Sequence, residues 1–364
     1  MKRTLANPFT PRFGRIPSHM AGRGDIIESL AEAFEGDLNN PDLTSIFVGA
    51  RGTGKTALLS YLGLEAEQRG WIAVDVSAAP GMLEDIYQQA LSAAAHIVNP
   101  PSLKRLSQIR VSGIGGIGWD NDALDENWRT RMNALLDELE KSDAGFLVTV
   151  DEVDPEVEEM NQLAATYQHF VREDRKVALL MAGLPSNVSD LVSGKRTSFL
   201  RRASQHDLGA IPDYEVEEAF RLTVVDGGKR IGQPALDIAV KEIGGFPFMF
   251  QLVGFRAWNA SGSSSENSED DVLRGVKLAR EELKSKVFDA TYAELSAGDR
   301  AFLIAMLQDD GTTLQQDLSK RMGKTSSYVS SYKKRLLRQG VIEEFPKGEL
   351  RFCLPGFREY LGNR

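Results

Sequence analysis

Cysteine is almost absent from this sequence, whose 364 residues include Cys353 alone. A single cysteine cannot form an internal disulfide, which favours a reducing, cytoplasmic setting. The sequence also lacks any run of about 18 uncharged apolar residues, so no membrane-spanning helix is expected. Near the start, Lys2 and Arg3 are not followed by an apolar segment, which argues against a secretory signal peptide. We therefore expect a cytoplasmic protein that does not associate with a membrane.

Positive charge is in deficit over most of the chain. There are 43 Lys and Arg residues against 52 Asp and Glu residues, and the formal net charge is -9. Residues 295–364 are the exception, because they contain 12 basic and 8 acidic side chains. The protein as a whole is therefore not a polycation that seeks phosphate, and any contact with nucleic acid is expected in this C-terminal region.

Short apolar runs alternate with helical periodicity in the first half of the chain. Strands are predicted at Thr44–Val48, Trp71–Val76, Gly145–Val150 and Val177–Ala182, with strand-like residues at 207–209. Helices are predicted at Gly24–Phe34, Lys55–Gln68, Met82–Ile97, Glu126–Lys141 and Pro155–Arg172. Buried apolar strands separated by helices indicate an α/β fold with a parallel sheet covered on both faces.

Beyond about Ile211 the strand patterns stop. Helices are predicted at Tyr214–Val225, Ala235–Ile243, Phe248–Ala260 and Val272–Lys286, with the polar stretch 261–271 as a loop or hinge. Three further helices, at Asp299–Leu307, Thr313–Met322 (capped by Thr312 or Thr313) and Ser326–Gln339, precede a hairpin over 340–354. That order predicts a winged helix-turn-helix. We divide the chain into an α/β core (1–211), a small helical domain (212–290) and a winged helix (291–364).

One loop has the spacing of a phosphate-binding loop. Residues 49–56 fit G-x-x-x-x-G-K-[ST] and lie between a predicted strand and a predicted helix, the context that a Walker A motif requires. Glycines let backbone N–H groups turn toward phosphates, and the helix start adds a positive dipole end. Lys55 is expected at the outer phosphates and Thr56 at Mg²⁺. The predicted nucleotide-binding residues are Gly49, Ala50, Arg51, Gly52, Thr53, Gly54, Lys55, Thr56 and Ala57.

A second motif ends the strand predicted at 145–150. The apolar run is followed by Asp151 and Glu152, which is a Walker B pattern. Asp151 is expected to hold Mg²⁺ through a water molecule, and Glu152 to orient or deprotonate the water that attacks ATP. The alternative is an acidic loop after a core strand. The Walker A motif upstream favours the catalytic interpretation, with ATP and Mg²⁺ as cofactors.

Residues 113–118 also spell G-x-G-x-x-G, the fingerprint of dinucleotide-binding loops. The residues that follow, 119–122, are acidic rather than the apolar start of a helix, and they would repel a pyrophosphate. A surface loop is therefore predicted for this segment.

The two Walker motifs resemble those of the AAA+ and STAND branches of P-loop ATPases, and within them the archaeal-type and origin-recognition-type initiators. The resemblance covers nearly the whole chain and implies a helical lid and a C-terminal winged helix. It assigns Gly22 and Arg23 to the adenine side of the site, and Pro247 to a G-x-P motif that packs against the nucleotide. Many AAA+ proteins have a sensor arginine at this second place, where this sequence has Phe246 and Phe248 instead.

The resemblance also implies catalytic groups outside the Walker motifs. In related ATPases an arginine finger reaches the nucleotide of a neighbouring subunit, and Arg201 or Arg202 matches its place in the sequence. A solvated basic helix end is the alternative. Ser186 or Asn187 is the candidate for the polar sensor after the fourth strand. A homo-oligomer with ATP bound between subunits is expected.

The third helix of the predicted winged helix is rich in hydroxyls and cations. In this fold the third helix enters the major groove of duplex DNA. The predicted DNA contacts are Ser327, Tyr328, Ser331, Lys333, Lys334, Arg335 and Arg338, with Lys347 in the wing. Two alternatives stay open: a solvated basic face, and the STAND arrangement in which the same fold packs on the nucleotide as an internal switch.

Three functions follow from these motifs. The first is a DNA-binding initiator or regulator that assembles with ATP and is released by hydrolysis. The second is a STAND-type signalling switch whose output is a protein partner. The third is a nucleotide-binding scaffold without turnover, which Glu152 argues against. We favour the first, because cations cluster on one helix of an otherwise acidic protein.

Overall fold

A five-stranded parallel sheet forms the centre of the first part of the chain. The computed structural model describes residues 5–12, 14–107, 121–345 and 348–364. The strands of the sheet are β1 (Thr44–Val48), β2 (Trp71–Ser77), β3 (Gly145–Asp151), β4 (Val177–Gly183) and β5 (Ser204–Asp207). They lie in the order β2-β3-β4-β1-β5, so the predicted α/β fold with a parallel sheet is confirmed.

Both faces of this sheet are covered, which explains why its central strands are continuous apolar runs. Every residue of β4 is buried, and in β3 only Asp151 at the end is partly exposed. Neighbouring residues alternate between faces, so Ile46 packs in the apolar cluster on one side and Phe47 in the cluster on the other. The covering helices are α1 (Gly24–Glu35), α2 (Lys55–Glu67), α3 (Met82–Ala94), α4 (Pro100–Ser107), α5 (Asn121–Glu140), α6 (Glu158–Arg172) and α7 (Pro185–Ser193).

The loops after β1, β3 and β4 meet at one edge of the sheet because the strands are parallel. β4 lies between β1 and β3 and is bonded to both of the loops that follow them. The Gly49 N–H donates to the Gly183 carbonyl at 3.2 Å, and the Val153 N–H donates to the Ala182 carbonyl at 2.9 Å. The end of β4 therefore lies between the two Walker motifs.

A helical bundle follows the sheet and incorporates the start of the chain. Its helices are α8 (Asp213–Asp226), α9 (Gln233–Ile243), α10 (Pro247–Ala260), α11 (Glu269–Leu283) and α12 (Asp289–Glu294), with a π-helical turn at Lys284–Phe288 between the last two. The Phe9 ring is buried between the rings of Phe220 and Phe250, with centroids 5.0 and 5.9 Å away. Residues 5–12 are thus packed on the bundle before the chain enters α1.

The last part of the chain contains three helices and a small antiparallel sheet. Its elements are α13 (Ala297–Met306), β8 (Thr313–Leu314), α14 (Gln315–Met322), α15 (Ser326–Arg338), β9 (Ile342–Phe345), β10 (Glu349–Phe352) and α16 (Phe357–Gly362). β10 pairs with both β9 and β8. This is the order of elements expected of a winged helix-turn-helix, and we refer to residues 297–362 as the C-terminal unit. Its apolar core continues into the bundle, where the Phe288 ring lies 5.4 Å from that of Phe357.

Two expectations for the second half of the chain are wrong. No strand was expected between Ile211 and the C-terminal hairpin, but β6 (Arg230–Ile231) and β7 (Glu266–Asn267) pair with each other. The polar stretch 261–271 is also more ordered than a hinge, since it contains β7 and the start of α11. Ser268 and Asp271 form a reciprocal capping box there, so the helix begins at Glu269, three residues before its predicted start at Val272.

Two element boundaries also differ from the prediction. Thr313 does not cap α14, because Thr313 and Leu314 form β8 and pair with β10, and α14 begins at Gln315 without a side-chain cap. β5 lies at Ser204–Asp207 rather than at 207–209, because Ser204 aligns with Ser45 of β1. Both short strands lack apolar alternation, so only their partners identify them.

The glycine-rich segment 113–118 and Lys347 lie outside the described residues, so the predictions made for them stay predictions. In the part of the chain that the structure describes, no helix is long and apolar enough to cross a membrane.

Arg335 of α15 holds the buried cap of α13, and its removal should lower stability. Asp299 is 1% exposed, accepts from the Ser296 N–H at 2.9 Å, and accepts from Arg335 Nε at 2.9 Å. Arg335→Met leaves that carboxylate without its cation, and we expect a loss of about 2 kcal/mol in the free energy of unfolding. Lys334→Met, at an exposed neighbouring position, should change it by less than about 0.5 kcal/mol. Urea unfolding measures both, and equal losses would contradict the assignment.

Candidate functional site

The loop after β1 has the backbone conformation of a phosphate-binding loop. Gly52 and Gly54 adopt φ angles of 82° and 88°, in the left-handed region that favours glycine. α2 begins at the next residue, Lys55, with Gly54 as its N-cap. The first N–H groups of α2 have no partner within the helix, so this end is suited to an anion.

Lys55 is partly buried and bonded to its own loop. Its Nζ donates to the Gly49 carbonyl at 2.8 Å and to the Ala50 carbonyl at 2.7 Å. Burial lowers the pKa of the Lys55 ammonium group to about 8, although the nearby carboxylates of Asp151 and Glu152 act in the opposite direction. A bound phosphate would supply the negative charge that raises this pKa again.

Thr56 and Asp151 connect the two Walker motifs directly. Thr56 Oγ1 donates to Asp151 Oδ2 at 2.5 Å, across the end of β4. A hydroxyl and a carboxylate are hard oxygen ligands, which suit Mg²⁺. Among the described residues no group of three or more His, Cys, Asp or Glu could hold a metal by itself. This pair therefore fits an ion that takes its other ligands from phosphate and water.

Glu152 adopts a backbone conformation that is rare for a residue with a side chain. Its φ is 54°, and its N–H donates to Asp151 Oδ1 at 2.8 Å. Left-handed conformations of this kind carry strain and occur preferentially at functional sites. The side chain is exposed at the same sheet edge as Lys55 and Thr56. The structure thus places the candidate base beside the candidate metal ligands.

Ser186 and Asn187, the candidate sensors, lie in the first turn of α7. Asn187 Nδ2 donates to the Val153 carbonyl at 3.0 Å, immediately after the Walker B acids. Ser186 Oγ donates to the Leu337 carbonyl of α15 at 3.1 Å. These side chains therefore connect the Walker B loop to the C-terminal unit.

Arg23 reaches the Walker A loop through backbone atoms. It is buried, and its guanidinium donates to the carbonyls of Gly22, Thr53 and Gly209 at 2.7, 3.2 and 3.3 Å. Burial lowers the pKa of Arg23, against the influence of Glu215 and Asp207. The guanidinium joins the segment before α1, the Walker A loop and the segment before α8.

Pro247 is the first residue of α10 and lies against the Walker A loop. A Cβ built on Gly54 would be 3.8 Å from Pro247 Cβ. A Cβ built on Gly52 would be 2.5 Å from Cζ of Phe246, the residue before it. The helical bundle therefore contacts the phosphate-binding loop at both of its left-handed glycines.

Arg201 and Arg202 are exposed and precede β5. β5 starts opposite Ser45, whereas the Walker A loop follows the other end of β1, about 13 Å away at the rise of a strand. Arg201 Nε donates to the Val192 carbonyl at 3.0 Å. Both arginines thus lie toward the edge of the sheet opposite the Walker motifs of their own chain.

The candidate DNA contacts on α15 divide into two sets. Lys333 pairs with Glu344 at 2.6 Å, and Arg338 pairs with Glu156 of the core at 2.8 Å. Arg335 pairs with Asp299, as described above. Exposed hydroxyls, an aromatic ring and a cation remain on the helix surface at Ser327, Tyr328, Ser331 and Lys334.

A cleft that no sequence motif indicated lies beside the candidate metal ligands. It has a volume of about 520 Å³ and is lined by Thr56 and Asp151 together with Asp75, Asp85 and Thr149. Asp75 and Thr149 are aligned in neighbouring strands and hydrogen bonded through their side chains. The sequence does show a polar residue near the end of each of these two apolar strands. Only the pairing of β2 with β3 shows that the two residues lie side by side.

Known proteins match this chain in two ways: one family model matches its C-terminal part, and several solved structures match its fold. A family model described as a domain of unknown function (DUF8462) matches residues 285–361. No curated protein matches the sequence. A Walker-type ATPase of Pyrococcus abyssi has a TM-score of 0.63 at 15% identity, over 94% of this chain and 96% of that one. The ORC2 protein of Aeropyrum pernix in its ADP form has a TM-score of 0.57 at 16% identity, over 97% and 96%.

A third solved structure, Cdc6p from Pyrobaculum aerophilum, has a TM-score of 0.50 at 15% identity, over 96% of each chain. At these identities the likeness is one of fold. The chain has the α/β fold of an AAA+-type P-loop NTPase. Within that class it resembles the archaeal Walker-type, ORC2 and Cdc6p proteins.

Phosphate binding by this loop should weaken at alkaline pH, because Lys55 loses its proton at about 8. The affinity for a fluorescent ADP analogue should fall by up to about tenfold for each pH unit above that value, since only the charged lysine attracts phosphate. Titrations from pH 7 to 10 measure this. Lys55→Arg, which stays charged, should show no such inflection in its remaining affinity. A constant affinity through pH 9.5 in the parent protein would contradict the assignment.

Proposed function

We propose that the chain is a Mg²⁺-dependent ATPase whose nucleotide state controls its assembly and its binding to duplex DNA. The observation that carries the ATPase is the hydrogen bond between Thr56 and Asp151, because it joins both candidate metal ligands at the end of a phosphate-binding loop. One neighbour in fold is a Walker-type ATPase, and another was solved with ADP, which supports the proposal.

The residues of the site have separate tasks. Backbone N–H groups of the Walker A loop and the ammonium group of Lys55 bind the phosphates. Thr56 and Asp151 would hold Mg²⁺, which would neutralise charge on the outer phosphates. Glu152 orients the attacking water and accepts its proton. In an assembly, Arg201 or Arg202 of one copy would complete the site of the next, since neither lies near its own.

Glu152→Gln should abolish most turnover and leave nucleotide binding intact. The amide keeps the size of the side chain but cannot accept a proton, so we expect steady-state ATP hydrolysis to fall by at least about 100-fold. Phosphate release measures turnover, and a fluorescent ADP analogue measures binding. Asp154→Asn, in the same loop, should keep most of the activity. Turnover that survives in Glu152→Gln would contradict the role given to this residue.

The exposed half of α15 supports DNA binding. Recognition helices contact base edges mainly through their N-terminal residues, and this is the half of α15 that carries Ser327, Tyr328 and Ser331. Lys324 lies 5.4 Å from the Tyr328 ring and adds a cation at the same end. Lys334 extends the surface by one turn.

The other end of α15 supports nucleotide control. Besides the bond from Ser186 to Leu337 and the ion pair of Arg338 with Glu156, Gly340 packs on Leu184, whose side chain would lie 3.0 Å from a Cβ at that glycine. The contacts of Leu337 and Gly340 reach the segment after β4, which lies between the Walker motifs, and the ion pair of Arg338 reaches the loop that follows the Walker B acids. If ATP hydrolysis rearranged this edge of the sheet, the contacts with α15 would change and the position of the DNA-binding helix would change with them.

Lys334→Glu should weaken duplex binding and make it less salt-dependent. Losing one phosphate contact lowers the slope of log affinity against log salt by about one. Fluorescence anisotropy with labelled duplex between about 50 and 200 mM salt measures this, with ADP and with a non-hydrolysable ATP analogue. Lys277→Glu, on the exposed face of α11, is the matched control. Equal slopes for the two variants would overturn the placement of DNA on α15.

The same contact of α15 with the core favours a second candidate, an internal switch. In that case the C-terminal unit holds the core in one nucleotide state and a protein partner reads the other. Steady-state turnover with and without duplex DNA separates the two candidates. Stimulation that fades with salt supports the DNA-linked ATPase, and indifference to DNA supports the internal switch.

A further inference from the structure

The turn that connects α9 to α10, residues 244–248, is here named the lid turn, and it packs on the phosphate-binding loop without a cation. Phe246 is 6% exposed and belongs to the apolar core of the helical bundle. Its ring covers Gly52 so closely that a Cβ there would lie 2.5 Å from Cζ and 2.7 Å from Cε2. Phe248 contributes its own Cβ, 3.5 Å from the same point.

The lid turn is fixed to the core on its other side. The Ile211 N–H donates to the Gly245 carbonyl at 2.9 Å, and a Cβ on Gly245 would lie 2.5 Å from the Ile211 carbonyl oxygen. Ile211 in turn packs on Gly22, next to Arg23, which binds the Thr53 carbonyl. The Walker A loop is therefore held from two directions, by the Phe246 ring at Gly52 and by the Arg23 guanidinium at Thr53.

We propose that Phe246 is a positioning residue that transmits the position of the helical bundle to the phosphate-binding loop through its contact with Gly52. The proposal rests on the nucleotide binding proposed above. A left-handed glycine has no side chain to fix its peptide planes, so a rigid ring packed on it restricts their orientation. The direction of the N–H groups that bind phosphate then depends on where the bundle places the ring.

This contact differs chemically from a sensor arginine. An arginine at this place would touch the outer phosphate and distinguish ATP from ADP, whereas the phenyl ring packs on Gly52 and acts through a loop whose phosphate contacts are common to both nucleotides. Loss of the ring should weaken ADP and a non-hydrolysable ATP analogue by the same factor. An apolar contact is also insensitive to salt, unlike an ion pair.

The first test compares Phe246→Leu with Phe250→Leu. Leucine keeps the apolar character at either site but is too short to restore the flat ring face. Phe250 is buried in α10, the helix that follows Phe246, and its ring centroid lies 5.4 Å from that of Phe220, so it serves as a matched control for damage to the bundle. We expect Phe246→Leu to weaken both nucleotides by about tenfold and Phe250→Leu by less than about twofold. Thermal unfolding with and without nucleotide verifies that both variants are folded at the assay temperature.

The second test is a double-mutant cycle between Gly52 and Phe246. Gly52→Ala places a methyl group against the ring and also strains the loop, while Phe246→Ala removes the ring. The strain at position 52 is present with and without the ring, so it cancels in the cycle and only the contact remains. We expect the double variant to bind the fluorescent ADP analogue more tightly than the sum of the single effects predicts, by about fivefold or more.

Each outcome has one meaning. Failure of the parent chain to bind nucleotide would overturn the proposed function and this inference with it. With binding intact, equal effects of Phe246→Leu and Phe250→Leu, or an additive cycle, would overturn the inference alone. A selective loss of the ATP analogue would also overturn it, because that result requires contact with the outer phosphate.

Discussion

The hydrogen bond between Thr56 and Asp151 is the constraint on which the rest of this structure depends. Thr56 is in the first turn of α2 and Asp151 ends β3, yet β4 lies between their strands. The two side chains meet only because Val48 aligns with Gly183 and Val150 with Met181. A shift of one residue in either strand pair would separate them and exchange the side chains between the two buried faces of the sheet. The burial of both sheet faces therefore fixes the geometry of the site.

The charged side chains of the site and of α15 mostly have partners within the protein. Lys55 has its carbonyl partners and two carboxylates nearby, an arrangement of mixed charge that suits a phosphate together with a divalent ion. The cations of α15 that seemed free in the sequence are largely occupied within the protein. Lys333 and Arg335 stabilise the C-terminal unit, and Arg338 contacts the core, which leaves the N-terminal half of the helix and Lys334 for a partner.

Two apolar contacts connect the parts of the molecule around the nucleotide site. Phe246 of the helical bundle packs on the Walker A loop. Gly340, at the end of α15, packs on Leu184 beside the Walker B loop. Both place a glycine against an apolar side chain, and a Cβ would lie 2.5 Å from Phe246 Cζ at Gly52 and 3.0 Å from Leu184 Cδ2 at Gly340. At the first contact the bundle reaches the loop by apolar packing, at the place in the sequence where many AAA+ proteins have a sensor arginine.

The sequence by itself determined the local chemistry: the glycine spacing of 49–56, the acids after β3, the helix periods and the apolar strands. These signals are encoded within a few residues, because backbone conformation and burial depend on near neighbours in the chain. Only the tertiary structure decided which partners distant residues meet. Strands β5 and β8 have no apolar alternation of their own and form because they pair with β1 and β10. Arg335 pairs with the capping residue Asp299 because the fold places the two side by side. Such pairings depend on residues far apart in sequence, so no local pattern contains them.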